Sequence, residues 1–241
     1  MRHRCARLSS IVGCALVMTG LASAPAPAHP EGFHVLLFSK TAAGAYRHDS
    51  IPAGIAMFEQ LAARNDWELT RSEDSAVFND AALATFDVVV MLQTSGMVWD
   101  NDAQRAATQK YLRGGGGFVA IHNATDMNVE QQFPWWDQMP GATMTQHSAT
   151  VSGTAKVADR VHRSGTALPD RWTRTEEWYN FTRSVRGNAH VLVTADETTY
   201  DPGSSRMVAT FALGFAVAFA SGSRTSGPDA TQRRITELEQ A

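Results

Sequence analysis

Cysteine is nearly absent from this chain: Cys5 and Cys14 are the only two, and both fall within the first fourteen of 241 residues. If that opening segment is removed, no disulfide can staple the remainder and no thiol can act as nucleophile. A basic excess is missing too, with 21 lysines and arginines against 24 acidic residues. That balance, with no basic stripe, lacks the electrostatic footprint of a nucleic-acid binder. No uninterrupted apolar run reaches the roughly 20 residues of a membrane-spanning helix. No two histidines have the spacing of a zinc motif such as HExxH.

What is present begins with a targeting pattern. Arg2, Arg4 and Arg7 precede an interrupted apolar stretch, Leu8 to Ala24, and Ala26-Pro27-Ala28 completes an A-x-A cleavage site. Cleavage after Ala24 is an alternative that leaves Pro25 at the cut. Ile11-Val12-Gly13-Cys14 resembles a lipidation box, but the apolar run ahead of it is short. Removing residues 1–28 takes three arginines, so 18 basic residues face 24 acidic ones in the remaining 213. That length suffices for one domain with a full core. The expectation is a secreted or periplasmic protein, with no stable membrane insertion after cleavage and a small neutral or polar ligand.

The stretch Gln109 to Asp126 organises the rest. Lys110 and Arg113 mark the end of a helix, four glycines follow, and Phe118 to Ile121 is a short apolar run suited to a strand covered on both faces. His122, Asn123, Thr125 and Asp126 then emerge at the carboxyl end of that strand, where open parallel sheets bind ligands. A phosphate loop has its glycines after a strand and before a helix. Here the order is reversed, so the glycines read as a helix-to-strand turn.

Phe33 to Ser39, Trp67 to Arg71 and Phe86 to Leu92 read as further strands. Helices are predicted from Ile51, capped by Ser50 or Asp49, over Ala81 to Ala84, and from Asp100 or Asn101 to Tyr111. The alternation predicts an α/β fold with a mostly parallel sheet and right-handed crossovers. The second half is less regular. Gln131 to Gly141 reads as a short helix or lid, Ala149 to Ala158 as a strand with one wet face, and His190 to Ala195 as a buried strand, while Thr173 to Phe181 combines two carboxylates with three aromatics. Val208 to Ala220 is apolar but too short to span a bilayer, and Ser221 to Ala241 is polar.

Several separated motifs resemble one family. Val35 to Thr41 with Tyr46-Arg47-His48-Asp49-Ser50-Ile51-Pro52, Gly114 to Asp126, Pro134-Trp135-Trp136, and Arg174 to Phe181 together resemble the ThuA, or trehalose-utilisation, family. The resemblance implies a flavodoxin-like three-layer sandwich of the class I glutamine amidotransferase type, over residues 29–207, and a link to sugar metabolism. Amidotransferases of that fold carry a cysteine where this chain has His122. An imidazole cannot form the thioester that glutamine hydrolysis needs, so glutaminase activity is excluded. The chain departs from the family pattern at His147-Ser148, where His-Pro is usual. It departs again beyond Met207, where a tryptophan-bearing strand and a Gly-His-Thr stretch are missing, so residues 208–241 read as an atypical tail.

The candidate chemistry centres on His122, with Glu177 and Asp126 as carboxylate partners. Imidazole titrates near neutral pH and suits acid–base work on a sugar. His48, Asp49, Tyr179 and Asn180 are candidate substrate contacts, and Trp135 and Trp136 could stack on sugar rings or fill a core. His48, His122 and His147 could instead hold a divalent ion such as zinc, or serve only as surface and structural groups. Glu176 and Glu177 would point to opposite faces of one strand, and Glu177 is favoured for the site. Two functions follow. One is a sugar-active hydrolase or lyase acting on a sugar or keto-sugar; the other is a non-catalytic carbohydrate-binding or structural module.

Overall fold

Val35, Leu36, Leu37 and Phe38 have no solvent exposure, and the strand they build, β1 (Phe33–Phe38), lies inside the sheet that positions the site. The computed structural model describes residues 32–129, 131–186 and 189–203. The expected signal segment and the atypical tail from residue 208 onward lie outside the described residues.

Beside β1 run β2 (Trp67–Ser72) and β3 (Val88–Leu92), and β4 (Gly117–Ile121) pairs with β3. All three pairings are parallel, and the order is β2-β1-β3-β4. That is the order of a flavodoxin-like doubly wound sheet. Alternate residues face opposite sides. Val35, Leu37, Val88, Val90 and Val119 pack with Ile51, Phe58 and Ala62 of α1 (Ile51–Asn65). Leu36, Phe38, Val89, Met91, Phe118 and Ala120 pack on the other face with Tyr111 and Leu112 of α3 (Asp102–Arg113). The short α2 (Asp80–Leu83) and α4 (Pro134–Gln138) add Leu83 and Trp136 to that second core.

The glycine turn has a steric reason at each of three positions. Gly115 takes a left-handed φ of 85°, which glycine adopts without penalty. A Cβ on Gly116 would lie 2.3 Å from the Tyr111 ring, and one on Gly117 would lie 2.5 Å from Asp87 O. The run therefore lets α3 turn tightly into β4, as the reversed order of glycines and strand predicted.

One helix start differs from expectation. Asn101 caps α3 by accepting the Gln104 N–H at 3.0 Å. Ser50, at the head of α1, makes no side-chain cap; its backbone is already helical, and its hydroxyl instead bonds the Gln93 amide at 3.0 and 2.9 Å. That bond ties the start of α1 to the end of β3.

The second half forms two small antiparallel sheets. β5 (Met144–His147) pairs with β8 (Tyr179–Phe181), placing His147 opposite Tyr179. β6 (Val151–Val157) lies between β7 (Arg171–Glu176) and β9 (Val193–Asp196). A one-turn helix, α5 (Arg163–Thr166), links β6 to β7. The stretch Thr173 to Phe181 is thus divided between two strands, with a break at Glu177-Trp178. Trp178 causes the break: it is buried, bonds Val151 O at 3.0 Å through its indole N–H, and stacks on Tyr200. His190 is exposed ahead of β9 and pairs with Asp159 at 2.6 Å, so it does not begin a buried strand.

Candidate functional site

Two connections meet at the carboxyl end of the parallel sheet. The loop after β1 carries Tyr46, His48 and Asp49, and the turn after β4 carries His122, Asn123 and Asp126. Arg47 anchors the first loop by donating to Ser39 O at 3.3 Å and to Glu73 at 2.7 Å. His122 opens a 3₁₀ turn, His122–Thr125, with a φ of 60°. A non-glycine residue in that region is strained and is held only by its surroundings, an arrangement that clusters at functional sites. Here the surroundings are Asn123, whose side-chain amide donates to Thr94 O at 3.0 Å and to Ser95 Oγ at 2.6 Å. Trp136 also holds the turn, donating its indole N–H to Ala124 O at 3.1 Å.

The edge of the β5–β8 sheet completes the recess. His122 Nε2 lies 3.3 Å from the Tyr179 hydroxyl and 3.6 Å from Glu177 Oε2. His48 meets the His122 ring edge-on at 4.5 Å between centroids, and Tyr46 meets His48 edge-on at 4.9 Å. On the far side, the Tyr179 ring also packs against His147 at 5.4 Å.

Burial lowers the pKa of both His122 and His48, favouring neutral rings. For His122, the neighbouring His48 adds to that lowering, while Glu177 and Glu176 oppose it. For His48, Glu177, Asn123 and Asp49 oppose the burial effect. Burial raises the Tyr179 phenol far above its ordinary value, and the charges of Glu177, Asp126 and Glu176 push the same way. At neutral pH the recess therefore holds two uncharged imidazoles, a firmly protonated phenol and a carboxylate within reach of His122. That set can accept a proton, donate a hydrogen bond to an oxygen, and stabilise the imidazolium that results.

The structure brings together His122, Glu177, Tyr179 and His48, with Asp126 close enough to act on Tyr179, Asp49 close enough to act on His48, and His147 at the margin. Glu176 points back to Arg174 and accepts the Glu177 N–H at 3.2 Å, which leaves Glu177 as the carboxylate at His122. Three substrate contacts expected from sequence lie elsewhere. Asn180 is fully buried and donates to Pro202 O at 2.7 Å, so its amide fastens β8. Trp136 is also fully buried, in the core between α3 and the sheet. Trp135 borders the same core, with the Arg113 guanidinium 5.5 Å from its ring centre. The three imidazoles proposed for a divalent ion do not form one ligand group. His48 and His122 are adjacent, but Tyr179 packs against both His122 and His147, and His147 Nδ1 is engaged with Ser148 O at 2.8 Å. Among the described residues no cluster of three His, Cys, Asp or Glu side chains could hold a metal ion.

Sequence reasoning placed Asn123 at this strand end but missed Tyr46 and Gln93 as parts of this site. Gln93 has a φ of 49° just after β3. The polar run Gln93-Thr94-Ser95-Gly96 directly behind the apolar β3 was the available signal, since a strand's carboxyl end is where such groups gather.

Comparison with known proteins agrees with this architecture. A family model described as ThuA, trehalose utilisation, matches residues 34–223. A ThuA-like protein from Bacteroides uniformis superposes with a TM-score of 0.62 at 18% identity, covering 88% of this chain and 93% of the other. A second, from Parabacteroides merdae, superposes with a TM-score of 0.56 at 18% identity, covering 87% and 88%. A glutamine amidotransferase from Thermotoga maritima gives a TM-score of 0.46 at 14% identity over 69% of each chain. Comparison with curated proteins produced no match.

Proposed function

Because the chain belongs to the ThuA, or trehalose-utilisation, family, we propose that its recess acts on a sugar or keto-sugar by acid–base chemistry at His122. The observation that carries this reading is the His122 ring itself. It is held in a strained backbone conformation, kept neutral by burial, and set with Nε2 3.3 Å from a protonated phenol and 3.6 Å from a carboxylate. Strain of this kind costs about 1–3 kcal/mol and persists only where the surrounding structure enforces it.

Roles follow from the groups. Neutral His122 accepts a proton through Nε2, and the imidazolium that forms is stabilised by Glu177. With a keto-sugar, the proton leaves the carbon next to the carbonyl, and the C–H electron pair moves into the enolate. Tyr179 donates a hydrogen bond to the developing oxyanion without losing its own proton. Expulsion of a glycosidic oxygen from the neighbouring carbon, with a proton returned to it, then completes an elimination. Export ahead of cleavage near Ala28 would place this chemistry outside the cytoplasm.

The test is to incubate the full chain with trehalose, other neutral disaccharides and their keto forms, and to follow release of monosaccharide. Turnover that disappears in His122→Ala supports the enzyme. Binding without turnover would instead favour a carbohydrate-binding module, and neither binding nor turnover would remove the sugar assignment.

A further inference from the structure

His48 and His122 come from different strand ends, and one segment, Gln93 to Ser95 just after β3, reaches both. On one side of His122, Gln93 donates its backbone N–H to Ile121 O at 3.2 Å. On the other, Thr94 O and Ser95 Oγ accept the Asn123 amide at 3.0 and 2.6 Å. The Gln93 side chain carries the grip across to α1. The Ser50 hydroxyl donates to Gln93 Oε1 at 3.0 Å and accepts from Gln93 Nε2 at 2.9 Å; one hydroxyl has the donor and the lone pair to serve both ends of an amide. Ser50 heads α1, and the His48 carbonyl accepts the Ile51 N–H at 3.3 Å. An unbroken path therefore runs from His48 through Ser50, Gln93 and Ile121 to His122, and the two histidine rings meet edge-on at 4.5 Å.

Three features show that this path is built against local preference. Ser50 makes no side-chain cap on its own helix, although serine is a preferred N-cap whose bond strengthens a helix start. Gln93 holds a left-handed φ of 49°, one strand over from His122 at 60°; a non-glycine residue stays there only when its contacts over-determine it. Gly54, one turn into α1, faces Leu92, the residue before Gln93, and a Cβ there would lie 2.9 Å from Leu92 Cδ1. The missing side chain lets α1 close on the end of β3, which brings Ser50 within reach of Gln93.

We propose that Gln93 is a positioning residue: acting through Ser50 and Ile121, it sets the His48 ring against the His122 ring. Its bearing on catalysis rests on the reading of His122 as the reacting base, since such a base must be held within about 0.5 Å of its productive place by contacts other than those to substrate.

The test uses the full chain with isotope-labelled histidines and reads the NMR cross-relaxation between the two rings, assigned by its absence in His48→Gln. The wild type is expected to show this ring-to-ring signal. Ser50→Ala removes the hydroxyl from an exposed residue. Gln93→Gly removes the amide at a φ that glycine adopts freely, and keeps the backbone bond to Ile121. Both variants are expected to melt near the wild type and to lose the signal, because the rings drift once the path is cut. Ser50→Thr keeps the hydroxyl and is expected to keep the signal. A general loss of stability would lower the melting temperature without selecting these two rings. The full signal in folded Ser50→Ala or folded Gln93→Gly overturns the proposal, as does its loss in Ser50→Thr or its absence from the wild type. If Gln93→Gly does not fold, Ser50→Ala alone decides; if neither folds, the link serves stability and a positioning role is overturned. No sugar enters the measurement, so its outcome is separate from that of the His122 reading, which turnover in His122→Ala decides.

Discussion

The His48 ring stands edge-on to the His122 ring, centroids 4.5 Å apart and planes 75° apart, although the two residues come from different strand ends. At that distance neither imidazole titrates alone: a proton on one disfavours a proton on the other. The same carboxylate, Glu177, favours the charged form of both. Burial lowers the pKa of both rings, so the pair takes up even its first proton only below the ordinary imidazole range, and the second with more difficulty.

The pH dependence follows from that coupling. His122 is lowered from an ordinary value of 6.5, so its neutral form persists below the usual imidazole range. Activity that needs the neutral base is expected to hold at neutral pH and to fall as pH drops through the lowered value. His48→Gln removes a neighbour that lowers His122 and moves the acid limb to higher pH; Glu177→Gln removes a charge that raises it and moves the limb to lower pH. Stability runs in the same direction. A histidine with a lowered folded pKa contributes stability that is present above 6.5 and is lost as pH falls through the folded value. The kcat/KM profile and imidazole titrations by NMR check the shifts. Identical profiles in all three proteins would show that the rings are uncoupled.

Tyr179 supplies a hydroxyl and a packing surface, and the two can be separated. Tyr179→Phe keeps the ring against His122 and His147 but removes the group 3.3 Å from His122 Nε2. Because burial holds the phenol protonated, its role is to donate, and loss of a positioned donor costs about 10²-fold in kcat. The melting temperature should hardly move. A variant that retains full kcat would assign Tyr179 to packing alone.

The parallel half was legible because its strands are unbroken apolar runs and its helices carry strong boundary signals. FHVLLF and VVVML match only strands buried on both faces, and His122 could be placed at a sheet mouth because an apolar run stops there. The second half was harder. β5 (MTQH) and β7 (RWTRTE) have few apolar residues, so nothing in their composition separates a strand end from a loop, and the break at Glu177-Trp178 is set by where Trp178 packs. The Ser50 cap was misread because a serine at a helix start can satisfy either its own helix or a distant amide, and Gln93 is 43 residues away. The tryptophan pair admitted both a ligand reading and a core reading for a related reason: the same flat apolar surface suits a sugar ring and a core.

The glycine turn makes a stability prediction that is independent of function. Gly116→Ala drives a Cβ into the Tyr111 ring and Gly117→Ala drives one onto a backbone carbonyl, so each is expected to cost about 1–3 kcal/mol by urea denaturation. Gly114 has an ordinary φ of −77° and its nearest new contact would be Lys110 O at 3.1 Å. Gly114→Ala should stay within about 1 kcal/mol. A loop free to rearrange would give all three variants the same small cost.

Trp135 and Trp136 distinguish the core from the ligand site most directly. Trp136 has no exposed surface, packs against Trp99 and Phe118, and holds the His122 turn through Ala124 O. Trp136→Ala therefore opens a cavity and leaves a carbonyl unpaired, at a cost of about 3–5 kcal/mol. Trp136→Phe keeps much of the packing but loses the N–H, and should loosen the turn enough to lower kcat more than sugar affinity. Trp135 lies at the core's margin beside Arg113, and Trp135→Ala should cost about 1 kcal/mol or less while sugar affinity holds. A Trp135→Ala protein that melts normally yet binds sugar tenfold more weakly would return that ring to the ligand site.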